Sequence, residues 1–176
     1  MPKIIENVRE RAISQARELL IREGYAAMTI RRVATALGIA PATIYNYFPS
    51  KENLTACVML EDWQKLMSDF EANQGQSSPE EIVRALFSTV QSFTQTYISS
   101  WTQYEPDERS SDLRQHYHPV LVEQLSRHIR RALPAERSAT EPWLAPFLAD
   151  LILRFGSDGD TRYAEIEPAI AKLLQP

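Results

Sequence analysis

Residues 29–54 read TIRRVATALGIAPATIYNYFPSKENL, and this stretch predicts two short helices joined by a tight turn. Thr29 is placed to cap the first helix, expected over 30–37, because its side-chain oxygen can accept from a backbone N–H of the first turn. Gly38 follows directly, where the end of a helix needs a residue that tolerates positive φ. The first helix is therefore marked at both ends.

Two prolines bound the second helix. Pro41 suits its first turn, because the missing N–H would have no partner within the helix. Pro49 disfavours helical geometry in the preceding residue, so the helix is expected to run no further than Phe48. Ser50 then caps a third helix, with Glu52 favourably placed near its positive end. Two short helices joined by a tight glycine turn match a helix-turn-helix.

The second helix presents two unlike faces. Ile44 and Phe48 are four residues apart and share one side, which suits packing. The other sides carry hydrogen-bonding or stacking residues and no carboxylate: Thr43, Tyr45, Asn46 and Tyr47. A surface that enters the groove of a polyanion is expected to have this character. The alternative is that the two tyrosines merely cover the neighbouring helix.

The run 13–54 resembles the DNA-binding domain of TetR-family (tetracycline-repressor-like) transcriptional regulators. The matching pieces are AREL with IREGYAAMTI, then RRVATALGIA, then TIYNYFPSKENL. The order and spacing of these residues fit the family: Gly24-Tyr25, Thr29, Val33-Ala34, Leu37-Gly38, Tyr45, Phe48 and Lys51. The resemblance implies a DNA-binding domain, expected at 1–55, and a larger helical domain for effector binding and dimerisation, expected at 56–176.

The resemblance also implies which residues read bases. The helix that begins at Pro41 would lie in the major groove, where Ala42 and Thr43 meet thymine methyls or base edges. Asn46 would offer its amide to adenine. Many relatives carry a polar or basic residue where this chain has Ala40 and Pro41, so Pro41 is expected to make only a positional contact.

Phosphate contacts are implied for a second group of residues. Tyr45 and Tyr47 would hydrogen-bond phosphates or stack beside the backbone. Thr29 and Arg31, at the start of the preceding helix, would hold phosphate or reach the groove edge. Lys51 would grip another phosphate together with the free N–H groups of a helix N-terminus.

Composition and charge agree with this division of the chain. Hydrophobic residues make up 44% of the 176 residues and charged residues 24%, values ordinary for a soluble protein with a core. Residues 1–55 hold eight basic and five acidic side chains, a net charge of +3, whereas the remainder carries −7. Such asymmetry favours a DNA-facing end and a solvated end.

The N-terminus and the cysteine content predict a cytoplasmic protein. Met1-Pro2-Lys3 runs into mixed-charge sequence, so no signal peptide is expected. The single cysteine, Cys57, cannot form an intrachain disulfide and is expected to be a small apolar residue of the third helix. No apolar run approaches the length of a membrane span, so no membrane partner is expected.

Helical periodicity continues along the chain without a strand-period segment, which predicts an all-α protein. The first helix is expected over 3–22 and the third from Ser50 to Phe70. A serine cap, a proline and two acids predict another helix start at Ser78. The remaining expectations are a loop or irregular helix over 101–112, a short segment over 112–117, a helix over 119–133 stopped by Pro134, a helix starting at 140–142, a turn over 156–160, and a last helix over 161–174 that Pro168 kinks.

The last two helices are the expected dimer interface. The helix over 143–155 is apolar around much of its circumference and must be covered on more than one side. TetR-family proteins pair through their two C-terminal helices as a four-helix bundle, so 143–155 and 161–174 are the corresponding segments. The alternative is that both are central helices of a monomeric core. A homodimer would read a near-palindrome with two recognition helices.

The second domain is expected to bind an effector. Its aromatic residues would suit a small apolar or planar molecule if they line a cavity. The alternative is that they are ordinary core residues. By family analogy, the chain is expected to be a repressor that the ligand releases from a palindromic operator, because ligand binds more strongly to a conformation that does not fit DNA. The candidate residues are Trp63, Phe87, Phe93, Tyr97, Trp101, Tyr104 and Tyr117.

Other classes of function are less well supported. His116, His118 and His128 lack the spacing of a zinc site, so no metal is expected. No Gly-rich phosphate loop, GxSxG or HExxH motif is present, so neither a cofactor nor an enzyme activity is expected. A structural, nucleoid-type DNA-binding protein without effector control is the alternative, because a helix-turn-helix alone does not imply regulation by a ligand.

Overall fold

The computed structural model describes residues 7–73, 75, 77–101, 108–158 and 160–175, with side chains for all of these except 98–101 and 108–117. Every regular element in this part of the chain is a helix, so the predicted all-α fold is confirmed. The helices are α1 Val8–Ala27, α2 Ile30–Leu37, α3 Pro41–Tyr45, α4 Lys51–Asn73, α5 Pro79–Trp101, α6 Glu108–Ala132, α7 Ala135–Thr140, α8 Leu144–Gly156 and α9 Tyr163–Leu174.

Contacts along the chain divide it into two compact units. The first comprises Met1–Asp69 and Thr96–Tyr104, and the second comprises Phe70–Gln95 and Glu105–Pro176. Helices α4 and α5 therefore each have residues in both units. The domain division expected at residue 55 stays a prediction, and α4 runs without interruption through that position.

In the first unit, α1 packs against α2 and α3. The core consists of apolar side chains that recur at helical spacing, among them Ala12, Ile13, Ala16, Leu20, Val33, Ile44, Phe48, Leu54 and Val58. The helix expected to end at Arg22 continues to Ala27, but Gly24 within it has φ 80° and ψ 174°. Glycine tolerates this positive φ, so the chain turns at Gly24 and one further turn leads to Thr29.

Helix α3 ends at Tyr45, three residues before the predicted limit at Phe48. The turn that follows it remains hydrogen-bonded. The N–H groups of Tyr47 and Phe48 both donate to the carbonyl of Ile44, at 3.0 and 2.9 Å. The bond from Tyr47 to Ile44 is an i→i−3 bond, which tightens the last turn of a helix. The chain therefore leaves α-helical geometry before it reaches Pro49.

In the second unit, the structure corrects the prediction for 112–133. The segment 112–117 and the helix over 119–133 are parts of one helix, α6, which contains Pro119. This helix begins at Glu108, inside the predicted loop or irregular helix over 101–112, of which residues 102–107 lie outside the described residues. The fixed φ of proline is compatible with a helix, although one hydrogen bond is missing and the ring crowds the carbonyl four residues earlier. Leu125 and Ile129 are buried farther along α6, and the helix packs against α8, so packing holds the helix together.

The C-terminal helices begin later than predicted, and one was missed. Helix α7 is six residues long without a buried side chain, so it leaves no apolar periodicity in the sequence. The helix expected from 140–142 begins at Leu144, and the last helix begins at Tyr163. Helix α8 packs against α6, and the main chain of Gly156 lies close to Val90 of α5.

Candidate nucleic-acid interface

Helix α2 begins at Thr29 with the predicted cap. The Thr29 hydroxyl oxygen accepts from the backbone N–H of Arg32 at 3.2 Å. At the other end Gly38 has φ 67°, and the N–H of Ile39 donates to the carbonyl of Ala34 at 3.0 Å. This six-to-one bond next to a left-handed glycine is the Schellman arrangement, which fixes the direction in which the chain leaves α2.

The exposed side of α3 matches its predicted character. Ile44 and Phe48 are buried, whereas the side chains of Tyr45 and Tyr47 are 52% and 49% exposed. Pro41, Ala42 and Asn46 are also exposed, and Thr43 is half-buried. The surface between Pro41 and Tyr47 thus offers methyl, hydroxyl and amide groups without a carboxylate, which suits contact with base edges.

The two arginines at the start of α2 have different surroundings. Arg32 donates to both carboxylate oxygens of Glu23, at 2.8 and 3.0 Å, and to the carbonyl of Ala27 at 2.9 Å. The hydrogen bonds with Arg32 lower the pKa of Glu23. Arg31 is exposed, and no carboxylate of the described residues pairs with it. Arg31 is therefore the one available to a phosphate.

Lys51 lies on the aromatic ring of Tyr25, a contact that the sequence did not predict. Its ammonium Nζ is 3.7 Å from the ring centroid of Tyr25, and the Tyr25 hydroxyl donates to Glu52 at 2.9 Å. Ser50 caps α4 as predicted, since its hydroxyl oxygen accepts from the N–H of Asn53 at 3.1 Å. Gly24 and Tyr25 belong to the family-like pattern, but nothing in their spacing signals a contact with a residue that far along the chain.

The ionisable groups of this cluster are shifted from their ordinary behaviour. Burial lowers the pKa of Lys51, and the negative charge of Glu52 opposes that shift. Burial raises the pKa of Glu52, but hydrogen bonds from Ser50, from its own backbone N–H and from Tyr25 outweigh burial and lower the pKa on balance. Glu52 is therefore held as a carboxylate that accepts hydrogen bonds.

A second polar cluster stabilises the first unit below these helices. Arg17 of α1 donates through Nε to Asp62 of α4 at 2.6 Å and through Nη2 to Glu61 at 3.1 Å. The buried hydroxyl of Tyr97 in α5 donates to the other Asp62 oxygen. Burial raises the pKa of this phenol, and its hydrogen bond with Asp62 raises it further. The sequence predicted Tyr97 as an effector contact, with an ordinary core residue as the alternative, and its phenol donates to Asp62.

The other aromatic residues proposed for an effector fall in both units. Trp63 of α4 and Tyr97 of α5 are both buried and both belong to the first unit. Phe87 is buried in α5 of the second unit, where its ring meets Tyr163 edge-on at a centroid distance of 5.4 Å, and Phe93 is half-buried on the same helix. The side chains of Trp101, Tyr104 and Tyr117 lie outside the described residues.

The histidines considered as metal ligands have separate surroundings. His118 Nε2 is 3.2 Å from Asp150 Oδ1, and His128 Nε2 is 3.6 Å from Glu71 Oε1. The side chain of His116 lies outside the described residues. In the part of the chain that the structure describes, no three histidine, cysteine or acidic side chains are grouped to hold a metal ion. No helix there combines the length and apolarity that crossing a membrane needs.

The sequence of the helix-turn-helix matches a known family. Residues 12–56, which hold α2, α3 and the capped start of α4, fit the model of the bacterial regulatory proteins of the tetR family. Over these residues the chain is similar to the DNA-binding domain of the TetR family. The TetR-type domain thus contains the exposed face of α3, Arg31 and the cluster around Lys51.

Curated relatives match different lengths of this chain. The HTH-type transcriptional regulator BetI of Rhizobium meliloti is 31% identical over 121 residues, 65% of this chain and 60% of the relative. The nucleoid occlusion factor SlmA of Glaesserella parasuis is 32% identical over 100 residues, 54% of this chain and 48% of the relative. The chain spans only 32% of the HTH-type transcriptional regulator UidR of Escherichia coli K12, at 29% identity over 35% of this chain.

The similarity to solved structures extends beyond the TetR-type domain. A transcriptional regulator of the TetR/AcrR family from Thermobifida fusca covers 94% of this chain, and 95% of its own length is matched. The TM-score is 0.54 and the sequence identity 22%. This likeness shows that the helical fold after the first unit is also of the TetR kind.

Proposed function

We propose that this chain is a sequence-specific DNA-binding transcriptional regulator that acts as a homodimer and is a repressor released by a small ligand. The observation that carries the proposal is the exposed face of α3, which is free of carboxylates. Short, capped helices hold this face on a buried core, so it is presented without rearrangement. The match of residues 12–56 to the TetR-family model supports the same function.

Within the interface, we assign base reading to α3 and phosphate binding to its flanks. Ala42, Thr43 and Asn46 are the candidates for base edges, since methyl, hydroxyl and amide groups can distinguish base pairs in the major groove. Thr29, Arg31, Tyr45, Tyr47 and Lys51 are the candidates for the backbone. Pro41 lies at the start of α3, and we assign it a positional contact only.

Selection of bound duplexes from a random pool tests this proposal. A dimeric regulator is expected to enrich a near-palindrome whose half-sites are one helical turn apart, about 34–36 Å, or a multiple of that distance. The same pool is to be selected with an R31A/K51A double variant as the control, which is expected to bind weakly and to enrich the same consensus. If the unaltered protein enriches no sequence at physiological ionic strength, the proposal is wrong.

The dimer is proposed to form through α8 and α9. Helix α8 buries Leu144, Leu148 and Ile152 within the second unit, while Trp143 and Phe147 remain 54% and 48% exposed. The two exposed rings meet edge-on, with their centroids 6.1 Å apart. Two adjacent exposed aromatic side chains are a typical anchor for a protein partner, and here we assign them to a second copy of the chain.

The effector is proposed to be a small apolar or aromatic molecule bound by the aromatic set predicted from the sequence. Phe87 and Phe93 are its best-supported members, because both lie on the part of α5 that belongs to the second unit. Tyr97 lies in the first unit, where its hydroxyl donates to Asp62. A screen of such molecules for a raised melting temperature and for release of the selected duplex tests this assignment. F93A is expected to abolish both effects of a hit, whereas a hit that acts equally on F93A binds elsewhere.

A structural DNA-binding role without effector control remains the second candidate. It is favoured by the similarity of 54% of the chain to a protein named as a nucleoid occlusion factor. Release of the selected duplex by a ligand supports the regulator. Binding to any duplex with the same salt dependence supports the structural role, since non-specific binding is almost entirely electrostatic.

A further inference from the structure

Tyr25 combines two contacts at the start of α4. Its ring carries the Lys51 ammonium at 3.7 Å, and its hydroxyl donates to the Glu52 carboxylate at 2.9 Å. Tyr25 reaches this place because the chain turns at Gly24, whose φ of 80° ends the regular part of α1. One side chain from the end of α1 therefore contacts a cation and an anion that are adjacent in sequence.

The partner of the ammonium determines how much of its charge remains for DNA. A carboxylate would hold Lys51 in place but would also neutralise it, whereas an aromatic face attracts a cation through its quadrupole and leaves the net charge in place. Among the described residues, no carboxylate pairs with Lys51 at salt-bridge distance, although Glu52 is its direct neighbour. The Glu52 carboxylate is occupied by the Tyr25 hydroxyl and by Ser50.

From this geometry we propose that Tyr25 is a positioning residue for phosphate binding by Lys51. The ring orients the ammonium at the N-terminus of α4, and the hydroxyl keeps the Glu52 carboxylate from pairing with it. The phosphate then meets an ammonium that no carboxylate neutralises, at the positive end of the helix dipole. The inference rests on the proposed DNA-binding function and adds Tyr25 and Glu52 to the residues that determine it.

Binding to a labelled duplex of random sequence over a series of salt concentrations tests the proposal, because phosphate contacts do not depend on sequence. K51A is expected to reduce the slope of log affinity against log salt by about 0.9 per bound protomer. Y25L is expected to weaken binding by about 2- to 5-fold, the worth of an exposed cation–π contact. In the K51A background the same Y25L change is expected to have no effect. An equal loss in both backgrounds would show that Tyr25 does not act through Lys51.

Two further variants separate the ring from the hydroxyl. Y25F keeps the ring and releases Glu52, so we expect a loss smaller than that of Y25L. The double variant Y25F/E52Q removes the competing carboxylate and is expected to regain the affinity of the unaltered protein. If Y25F binds as weakly as Y25L and E52Q does not rescue it, the proposed roles of ring and hydroxyl are both wrong.

Proton NMR of the protein without DNA tests the contact between Tyr25 and Lys51 independently of the proposed DNA-binding function. The ε-methylene protons of Lys51 are expected to be shifted upfield by the Tyr25 ring current in the unaltered protein and in Y25F, and to return to ordinary values in Y25L. Absence of the upfield shift in the unaltered protein would overturn the inference. If the shift is present but no duplex binds, the proposed function fails instead, and Tyr25 has no phosphate contact to position.

Discussion

Arg31 and Arg32 show how neighbouring residues of one type are given different tasks by their surroundings. Arg32 joins Glu23 and the Ala27 carbonyl, so it fastens the start of α2 to the end of α1. The side chain of Arg31 is exposed on the same turn and has no carboxylate partner among the described residues. Arg32 is therefore engaged within the domain, whereas Arg31 is the arginine that we propose for a DNA phosphate.

The two arginines are therefore a matched pair for mutation. R31A is expected to weaken binding to all duplexes alike and to lower the salt slope by about 0.9 for each lost phosphate contact, with an unchanged melting temperature. R32A is expected to lower the melting temperature, because it removes the hydrogen bonds that Arg32 donates to Glu23 and to the Ala27 carbonyl. For each variant, fluorescence anisotropy over a salt series measures DNA binding, and thermal unfolding measures the melting temperature. A normal salt slope for R31A would contradict its assignment.

Asn46 is predicted to change sequence preference instead of overall affinity. Its side chain is exposed on α3, while its backbone N–H donates to the Ala42 carbonyl at 3.2 Å. N46A is expected to relax discrimination at one base position by about 1–3 kcal/mol, the worth of a bidentate amide–adenine contact. Repeating the random-pool selection with N46A and with Y45A as the control measures this. Y45A is expected to weaken binding while keeping the consensus, and an unchanged consensus for N46A would remove it from the readers.

His128 is predicted to make the second unit sensitive to acid. The side chain is 4% exposed, and Nδ1 has no hydrogen-bond partner. Burial lowers the pKa of His128, the charge of Glu71 opposes this, and Arg131 and Arg127 lower it further. The folded state thus favours the neutral ring, so stability is fully present above the unfolded pKa of about 6.5 and is lost as the pH falls towards the lower folded value.

Thermal unfolding across this pH range tests the role of His128. The melting temperature of the unaltered protein is expected to fall between about pH 7 and pH 5, where an unfolded histidine takes up its proton. H128L cannot take up a proton and is expected to show a smaller fall over the same range. Equal pH profiles for the two proteins would show that other groups cause the acid sensitivity.

At the scale of elements, local signals and long-range contacts differ in how well the sequence predicted them. Helix α2 was predicted to the residue because Thr29 and Gly38 mark its ends by their own chemistry. Helix α6 was divided wrongly because Pro119 is a local signal that packing farther along the helix outweighs. The contact between Tyr25 and Lys51 could not be predicted, since it depends on how the end of α1 meets the start of α4.

The close approach of α8 and α5 gives a prediction for Gly156. A Cβ at this position would lie 2.9 Å from Cγ1 and 3.2 Å from Cβ of Val90, so G156A is expected to destabilise the protein by about 1–3 kcal/mol through overpacking. G75A is the control, because a Cβ there meets no atom within 4 Å, and its effect is expected to stay within about 0.5 kcal/mol. Denaturant unfolding compares the two. Equal stability of both variants would mean that α8 shifts freely away from Val90.

At the scale of the whole molecule, the predicted dimer depends on the exposed rings of α8. F147E places a charge where a second copy is expected to bury an aromatic side chain, so the variant is expected to be monomeric and to bind palindromic DNA weakly. I21E is the control, because Ile21 is similarly exposed but lies on α1. Sedimentation measures the mass of each. A dimeric F147E would place the interface elsewhere.

The five-residue length of α3 bears on attempts to re-engineer its specificity. A helix with so few residues cannot sustain its own shape in water, so a free peptide of this segment would be unstructured. The orientation of its readers comes from the glycine exit before it, the prolines on either side and the buried Ile44 and Phe48 beneath it. Transplanting a new recognition sequence onto this scaffold would therefore succeed only if the supporting positions were carried over with it.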